Sequence, residues 1–541
     1  MPRTTPTLSR RPWPAVLVFG LLLGCAREAP PVDAPRVDPT MMAAPQVDVV
    51  ELSVAEAQAG MAAGRFSSAD LVDAYLARIA AIDDAGPTLN AVIALNPSAR
   101  ADAGRLDAER AAGVVRGPLH GIPVLVKDNI DVAGLPTTAG SLALANHVPK
   151  DDAFLVARLR EAGAVILGKT NLSEWANFRS TNSISGWSSA GGQTRNPYVL
   201  DRNACGSSSG TGAAIAASLA TVGVGTETNG SILCPAAVNG LVGLKPTVGL
   251  VSRDGIVPIS ISQDTAGPMA RSIADAAALM QALAAIDPAD PAGPAAEGRV
   301  ADDFSADLAT ASLAGKRIGV LRQAMGRHAG LDAATETSLD ALRAAGAELV
   351  DVEMGTWGQW GGHELEVLLY EFKDGVNRYL ADGAPIGSLE ALIAWNEANA
   401  DRTQPWFGQE LLLRAQAKGP LTESTYLEAR ATARRLAGDE GVLALLGTQR
   451  LDALLAPTTG PAWPIDPVLG DHFISAGYGA AAVAGTPSLT VPIGDVHGLP
   501  VGLSLLGAPY AEAELLALGA AIERAVAPGR RPPAFAPSLQ P

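Results

Sequence analysis

The chain has 541 residues, of which 48% are hydrophobic and 18% charged, so it carries ample material for a large buried core. Its net charge of −16 weighs against nucleic acid and anionic membrane surfaces as partners, and leaves chemistry on a small or peptide substrate open.

The first element is a targeting segment, to be kept apart from the fold. Arg10 and Arg11 precede an apolar stretch, Trp13–Leu23, that is short for a membrane span. It closes on Leu22-Leu23-Gly24-Cys25, which resembles a bacterial lipoprotein box with Cys25 as the lipidated residue. The expectation is a signal peptide over 1–24, then a Pro/Ala-rich tether over 25–48 on a lipidated Cys25. The protein would thus be exported, periplasmic and lipid-anchored to the envelope membrane. A cleaved signal with an incidental cysteine is the plainer alternative, and Ser9-Arg10-Arg11 leaves the twin-arginine route open.

From residue 49 to about 530 one folded domain is expected. Ser53–Glu56 and Ser67–Asp70 have the pattern of helix capping boxes, and the second opens a run with Leu71, Val72, Tyr75, Leu76 and Ile79 on one face. Gly117–Val126 is a turn feeding a continuously apolar strand, the pattern of a sheet covered on both faces. Helix is expected at 151–163, strand at 164–167, helix at 213–220, strand at 222–225 and helix at 273–285. After a Pro/Ala/Asp/Gly loop over 286–302 come strand 316–321, helix 333–345 and strand 348–352. Residues 364–440 read as helical and aromatic, either a segment shaping a substrate pocket or plain helix packing. Strands at 451–455, 488–493 and 502–505 return the chain to the sheet. The fold class is therefore α/β, a single large domain with a mixed, mostly buried central sheet and helices on both faces.

The chemistry concentrates in three short stretches. Cys205-Gly206-Ser207-Ser208-Ser209-Gly210 and Thr226-Glu227-Thr228-Asn229-Gly230-Ser231 are small-residue turns whose serines 207 and 231 stand 24 positions apart. Lys127 ends the apolar run 122–126. A buried strand end desolvates the ammonium and lowers its pKa, so two serines and this lysine can make a nucleophile, a proton relay and a base without histidine. Gly230 before Ser231 lets the N–H groups of Thr228–Ser231 converge on an oxyanion. Three rival patterns are weaker. Gly163–Thr170 matches GxxxxGK[ST], but its AVIL core is itself a strand. Gly206–Gly210 matches GxSxG with Ser208 as nucleophile, yet lacks a strong preceding strand and has only His472 or His497 in suitable order. The histidine and cysteine spacings hold no metal-ligand pattern. Cys205 and Cys234 are expected to be buried free thiols, pairing only if the two turns meet.

The stretches 121–129 (GIPVLVKDN), 163–171, 206–217, 225–247 and 262–272, in this order, resemble the amidase signature family, and within it bacterial peptide amidases, which hydrolyse C-terminal peptide carboxamides. The resemblance implies Ser231 as nucleophile, Ser207 as the bridging serine on a cis Gly206–Ser207 bond, and Lys127 as base. It implies an oxyanion hole from the backbone of Thr228, Asn229, Gly230 and Ser231, with no cofactor and no metal. The substrate would be a peptide or small-molecule amide; nucleic acid is not expected, membrane contact only through the lipid, and a monomer is plausible. Amidases of aliphatic or aryl amides, and a glutamine amidotransferase-type subunit, are the alternatives, with a non-catalytic binding lipoprotein behind them. Ser209, Asn229 and Leu233 depart from the family pattern, where glycine, glycine and arginine are common. Loss of the arginine implies a neutral or peptide-like acyl portion.

Overall fold

Runs such as Val124-Leu125-Val126 and Val165-Ile166-Leu167 are apolar at every position, so they form strands with both faces packed rather than one in water. In the computed structural model, which describes residues 47–539, the strands are β1 (Val92–Leu95), β2 (Pro123–Lys127), β3 (Val165–Thr170), β4 (Trp187–Ser188), β5 (Gly192–Gln193), β6 (Val222–Glu227) and β7 (Val242–Lys245). They continue as β8 (Thr265–Ala270), β9 (Arg317–Leu321), β10 (Glu348–Val352), β11 (Ala453–Pro457), β12 (Ser488–Val496) and β13 (Leu499–Leu506). β4 and β5 form a separate ribbon. The others make one sheet in the order β1-β3-β2-β6-β8-β7-β12-β13-β11-β9-β10. The signal peptide, Cys25 and the tether up to residue 46 lie outside the described residues.

The sheet is mixed. β3, β2 and β6 run parallel, as do β11, β9 and β10, while the strands between them alternate. Both capping boxes form: Ser53 with Glu56, and Ser67 with Asp70, each exchanging side-chain and backbone bonds. The helix Ser68–Ile82 buries Leu71, Val72, Tyr75 and Ile79, the face its spacing predicts. The 286–302 region contains only a short 3-10 turn, Gly293–Ala296. No helix among the described residues is long and apolar enough to cross a membrane.

Two strands differ from expectation for identifiable reasons. β8 carries Gly267 and Pro268, residues that argue against a central strand. It tolerates the proline because β7 pairs only with Met269 and Ala270, so no bond on that side needs the missing N–H. Ala164–Leu167 extends to Thr170, because the glycine and lysine that mimic a phosphate loop continue the strand, and the backbone N–H groups there serve the sheet.

The segment 364–440 is helical, with Gly361–Ala381 as its longest helix. Leu369, Phe372 and Val376 pack with Trp175, Phe178 and Val257 in a second core beside the sheet. This helix also reaches the site.

Candidate active site

β2 and β6 are parallel neighbours, with Val126 opposite Val224, so both deliver their C-terminal residues to the same edge. From β2 comes Lys127; from β6 come Thr226 and Glu227, followed by the Thr228–Ser231 turn. Between them lies the 205–209 turn, whose Ser208 N–H donates to the Ser231 carbonyl at 3.2 Å. The structure thus brings the three stretches together.

Lys127 is fully buried. Its Nζ lies 2.8 Å from Ser207 Oγ, 2.8 Å from Thr226 Oγ1 and 3.3 Å from the Thr226 carbonyl. Every one of these partners is neutral. Burial pulls the amine from its ordinary 10.5 down to about 7, with the charges of Asp264 and Glu227 opposing that fall only in part. A neutral amine has two N–H bonds and one lone pair. The two Thr226 acceptors take the N–H bonds, which leaves the lone pair to accept the Ser207 O–H.

The turn carrying Ser207 is held from several sides. The Gly206–Ser207 peptide bond is cis. Ser173 N–H donates to the Ser207 carbonyl at 3.1 Å. Ser209, the departure from glycine, donates its hydroxyl to the Cys205 carbonyl at 2.5 Å and so clamps the turn. Ser208, the nucleophile of the rival GxSxG reading, is buried and donates to the Thr226 carbonyl at 3.1 Å, with no histidine among its hydrogen-bond partners.

One sequence expectation is overturned here: Cys205 and Cys234 form a disulfide, with Cα atoms 6.0 Å apart. Cys205 precedes the first turn and Cys234 lies in the short helix after Ser231. The approach of the turns that assembles the site also brings the two thiols into bonding range.

The second turn is shaped by groups that no sequence motif marks. Glu227 accepts from the N–H groups of Ile232 at 2.7 Å and Leu233 at 3.0 Å, and the Gly230 N–H also faces it. The backbone N–H groups of Thr228, Asn229 and Ser231 have no acceptor among the described residues. Gly230 has φ +84°, and an added Cβ would meet the Tyr478 ring at 2.2 Å, so only glycine fits. Asp264 accepts from Thr228 Oγ1 at 2.5 Å and from the N–H groups of Ile259 and Ser260; burial pushes its carboxyl up to about 6. Glu364, on the long helix, accepts from Asn229 Nδ2 at 2.7 Å and from Gln263 Nε2 at 3.1 Å, and burial raises its pKa.

Ser231, 9% exposed, opens onto a cavity of about 580 Å³, a size suited to a peptide-like ligand. Phe178, Leu368 and Tyr478 supply apolar wall, and Asn229 and Thr228 line it beside the serine. Asp471 is its single carboxylate among the described residues, held by Ser185 N–H, Asn203 Nδ2 and Trp463 Nε1. Among the described residues no cluster of three His, Cys, Asp or Glu side chains could hold a metal ion.

Comparison with known proteins follows the same residues. The Amidase family model matches residues 70–516. A probable amidase of Arabidopsis thaliana is 39% identical over 488 residues, covering 87% of this chain and 89% of that protein. The amidase-like component of a glutamyl-tRNA(Gln) amidotransferase from an Anaeromyxobacter strain is 38% identical over 511 residues, covering 91% and 100%. Among solved structures, the native peptide amidase of Stenotrophomonas maltophilia is 55% identical with a TM-score of 0.86, covering 90% of this chain and 99% of that one.

Proposed function

Because the chain belongs to the amidase family and is an amide-hydrolysing enzyme, we propose that it hydrolyses the C-terminal carboxamide of a peptide to a carboxylate and ammonia. The observation that carries the mechanism is the buried Lys127 amine, 2.8 Å from Ser207 Oγ and without a contacting carboxylate.

In this reading Ser231 Oγ attacks the amide carbonyl. Its proton passes to Ser207 Oγ as the Ser207 proton passes to the Lys127 lone pair, so the relay carries no net charge through the bridging hydroxyl. The carbonyl oxygen becomes an oxyanion, stabilised by the unengaged N–H groups of Thr228, Asn229 and Ser231, while Gly230 gives the turn its shape. Collapse of this intermediate breaks the C–N bond; the relay returns the proton, and the nitrogen leaves as ammonia. Water then attacks the acyl-Ser231 ester, giving up a proton along the same path, and the free acid departs.

Two observations favour a peptide amide over the alternatives. The 55% identity to a peptide amidase exceeds the 38% to an amidotransferase component. The cavity has space for more than a small aliphatic amide, and its single carboxylate suits a neutral or cationic acyl chain. Ser231→Ala is expected to lower ammonia release from a C-terminally amidated dipeptide by at least about a thousandfold. Wild-type turnover in that variant ends the assignment, and turnover of simple aliphatic or aryl amides in preference to peptide amides redirects it.

We also propose that the protein is exported and lipid-anchored through Cys25. The Arg10-Arg11 and Leu22–Cys25 pattern supports this, as does a disulfide suited to an oxidising compartment. Cys25→Ser is expected to release the protein from membranes; unchanged membrane association counts against it.

A further inference from the structure

A second cavity, of about 350 Å³, opens beside the loop that follows Ile259, and its chemistry is the reverse of the first. Three arginines line it, Arg299, Arg430 and Arg434, and no acidic side chain does. None of the three forms an ion pair with a carboxylate among the described residues. The chain has a net charge of −16, and most of its other described arginines have a carboxylate or carbonyl partner. Three guanidinium groups converging without one are an unmet demand for negative charge. The nearest carboxylates behind the wall are already engaged. Glu371 accepts from Ser260, Ser262 and Tyr426, and Glu512 accepts from the Thr247 N–H.

Apolar groups supply much of the remaining lining. Val248 and Val483 face the space, and the Arg299 guanidinium stacks over the Tyr510 ring at 4.8 Å, which fixes it and leaves its N–H edge free to donate. Guanidinium groups match phosphate oxygens with paired N–H bonds, and three of them suit a dianion better than a single carboxylate. We propose that this cavity is a binding site for a small organic phosphate, a phosphate monoester on an apolar body.

Gln263 lines the same cavity, and its amide donates to Glu364 and to the Thr228 carbonyl. An occupant therefore touches a residue one hydrogen bond from the Thr228–Ser231 turn, and its binding is read there as a change in turnover. The binding half of the proposal is independent of the amidase reading; the coupling half rests on it.

Calorimetric titration of the full chain at fixed ionic strength, with phenyl phosphate, inorganic phosphate and benzyl alcohol as probes, tests this. Phenyl phosphate is expected to bind at least tenfold tighter than inorganic phosphate, with no heat from benzyl alcohol. Arg430→Gln/Arg434→Gln is expected to weaken it at least tenfold with the melting temperature unchanged, since both side chains are exposed. No binding of phenyl phosphate at 10 mM, or equal binding in the double variant, overturns the site. Equal affinity for inorganic phosphate removes the apolar body from the proposal. Saturating phenyl phosphate is expected to change ammonia release at least threefold in the wild type and not in the double variant; an unchanged rate despite measured binding overturns the coupling alone.

Discussion

Lys127 and Lys169 sit on adjacent parallel strands, both fully buried, and their environments assign them opposite work. Val126 pairs with Lys169 and Lys127 with Thr170, so the two lysine side chains leave opposite faces of the sheet. On its face Lys169 meets Asp128 at 3.0 Å, together with the Thr137 hydroxyl and the Pro136 carbonyl. Asp128 is held in turn by the Thr138 hydroxyl. On the other face Lys127 meets only hydroxyls and a carbonyl. Burial is the same; the counter-ion is what differs. A buried ammonium with its own carboxylate is structural, and one denied a carboxylate gives up its proton and becomes a base.

The same substitution at both positions should separate the two lysines. Lys127→Met is expected to reduce kcat/KM about a thousandfold or more, within the range for removing a general base, while circular dichroism shows a folded chain. Equal losses of activity at the two positions, once corrected for folded fraction, would erase the contrast.

Stability should move the other way. Lys169→Met strands Asp128 as an unpaired buried carboxylate and is expected to cost about 3–5 kcal/mol in denaturant unfolding. Lys127→Met removes an amine that the fold holds below its ordinary pKa. Between pH 7 and 10.5 the native protein binds fewer protons than the unfolded chain, so wild-type stability rises across that window and is lowest below it. The drop from 10.5 to about 7 corresponds to about 5 kcal/mol withheld below pH 7. Lys127→Met is therefore expected to melt higher than wild type at pH 6, with the gain shrinking toward pH 10. A lower melting temperature at pH 6 would mean that the amine is a favourable buried cation after all.

The disulfide ties the two serine turns together across 29 positions. Cys205→Ser/Cys234→Ser is expected to lose about 3–4 kcal/mol by loop-closure entropy, measured by chemical denaturation. A smaller effect comes from the shell around Asn229. Glu364→Gln preserves an acceptor for the Asn229 amide and is expected to lower kcat about threefold to tenfold, with KM little changed. A larger loss in KM than in kcat would make Glu364 a determinant of binding instead of turn geometry.

The site was unevenly legible in the sequence. Lys127, Ser207 and Ser231 stand in short, glycine-marked stretches, where chain geometry and chemistry coincide within a few residues. Glu364 and Asp264 gave no such sign. Glu364 opens a helix, where an acidic residue is ordinary, and its role depends on a turn 135 positions earlier. The disulfide was hidden for a related reason, since two cysteines carry no spacing pattern and their pairing follows from tertiary contact between turns. The sheet was legible where strands are Val, Ile and Leu throughout, and illegible at β8, where Gly267 and Pro268 survive because one neighbour is short. The long helix was legible as helix but not as the source of Glu364, Glu371 and Tyr379, three side chains that brace loops around the site.

Every step of the proposed chemistry requires a neutral Lys127 amine in the working enzyme. Lysine residues labelled with 13C at Cε, assigned by comparing wild type with Lys127→Met, report that directly as pH is varied. A neutral base gives a Lys127 resonance that titrates near pH 7, in step with the rise of kcat/KM. A resonance that keeps its cationic shift up to pH 10 would mean that the lysine stays charged and cannot take the serine proton.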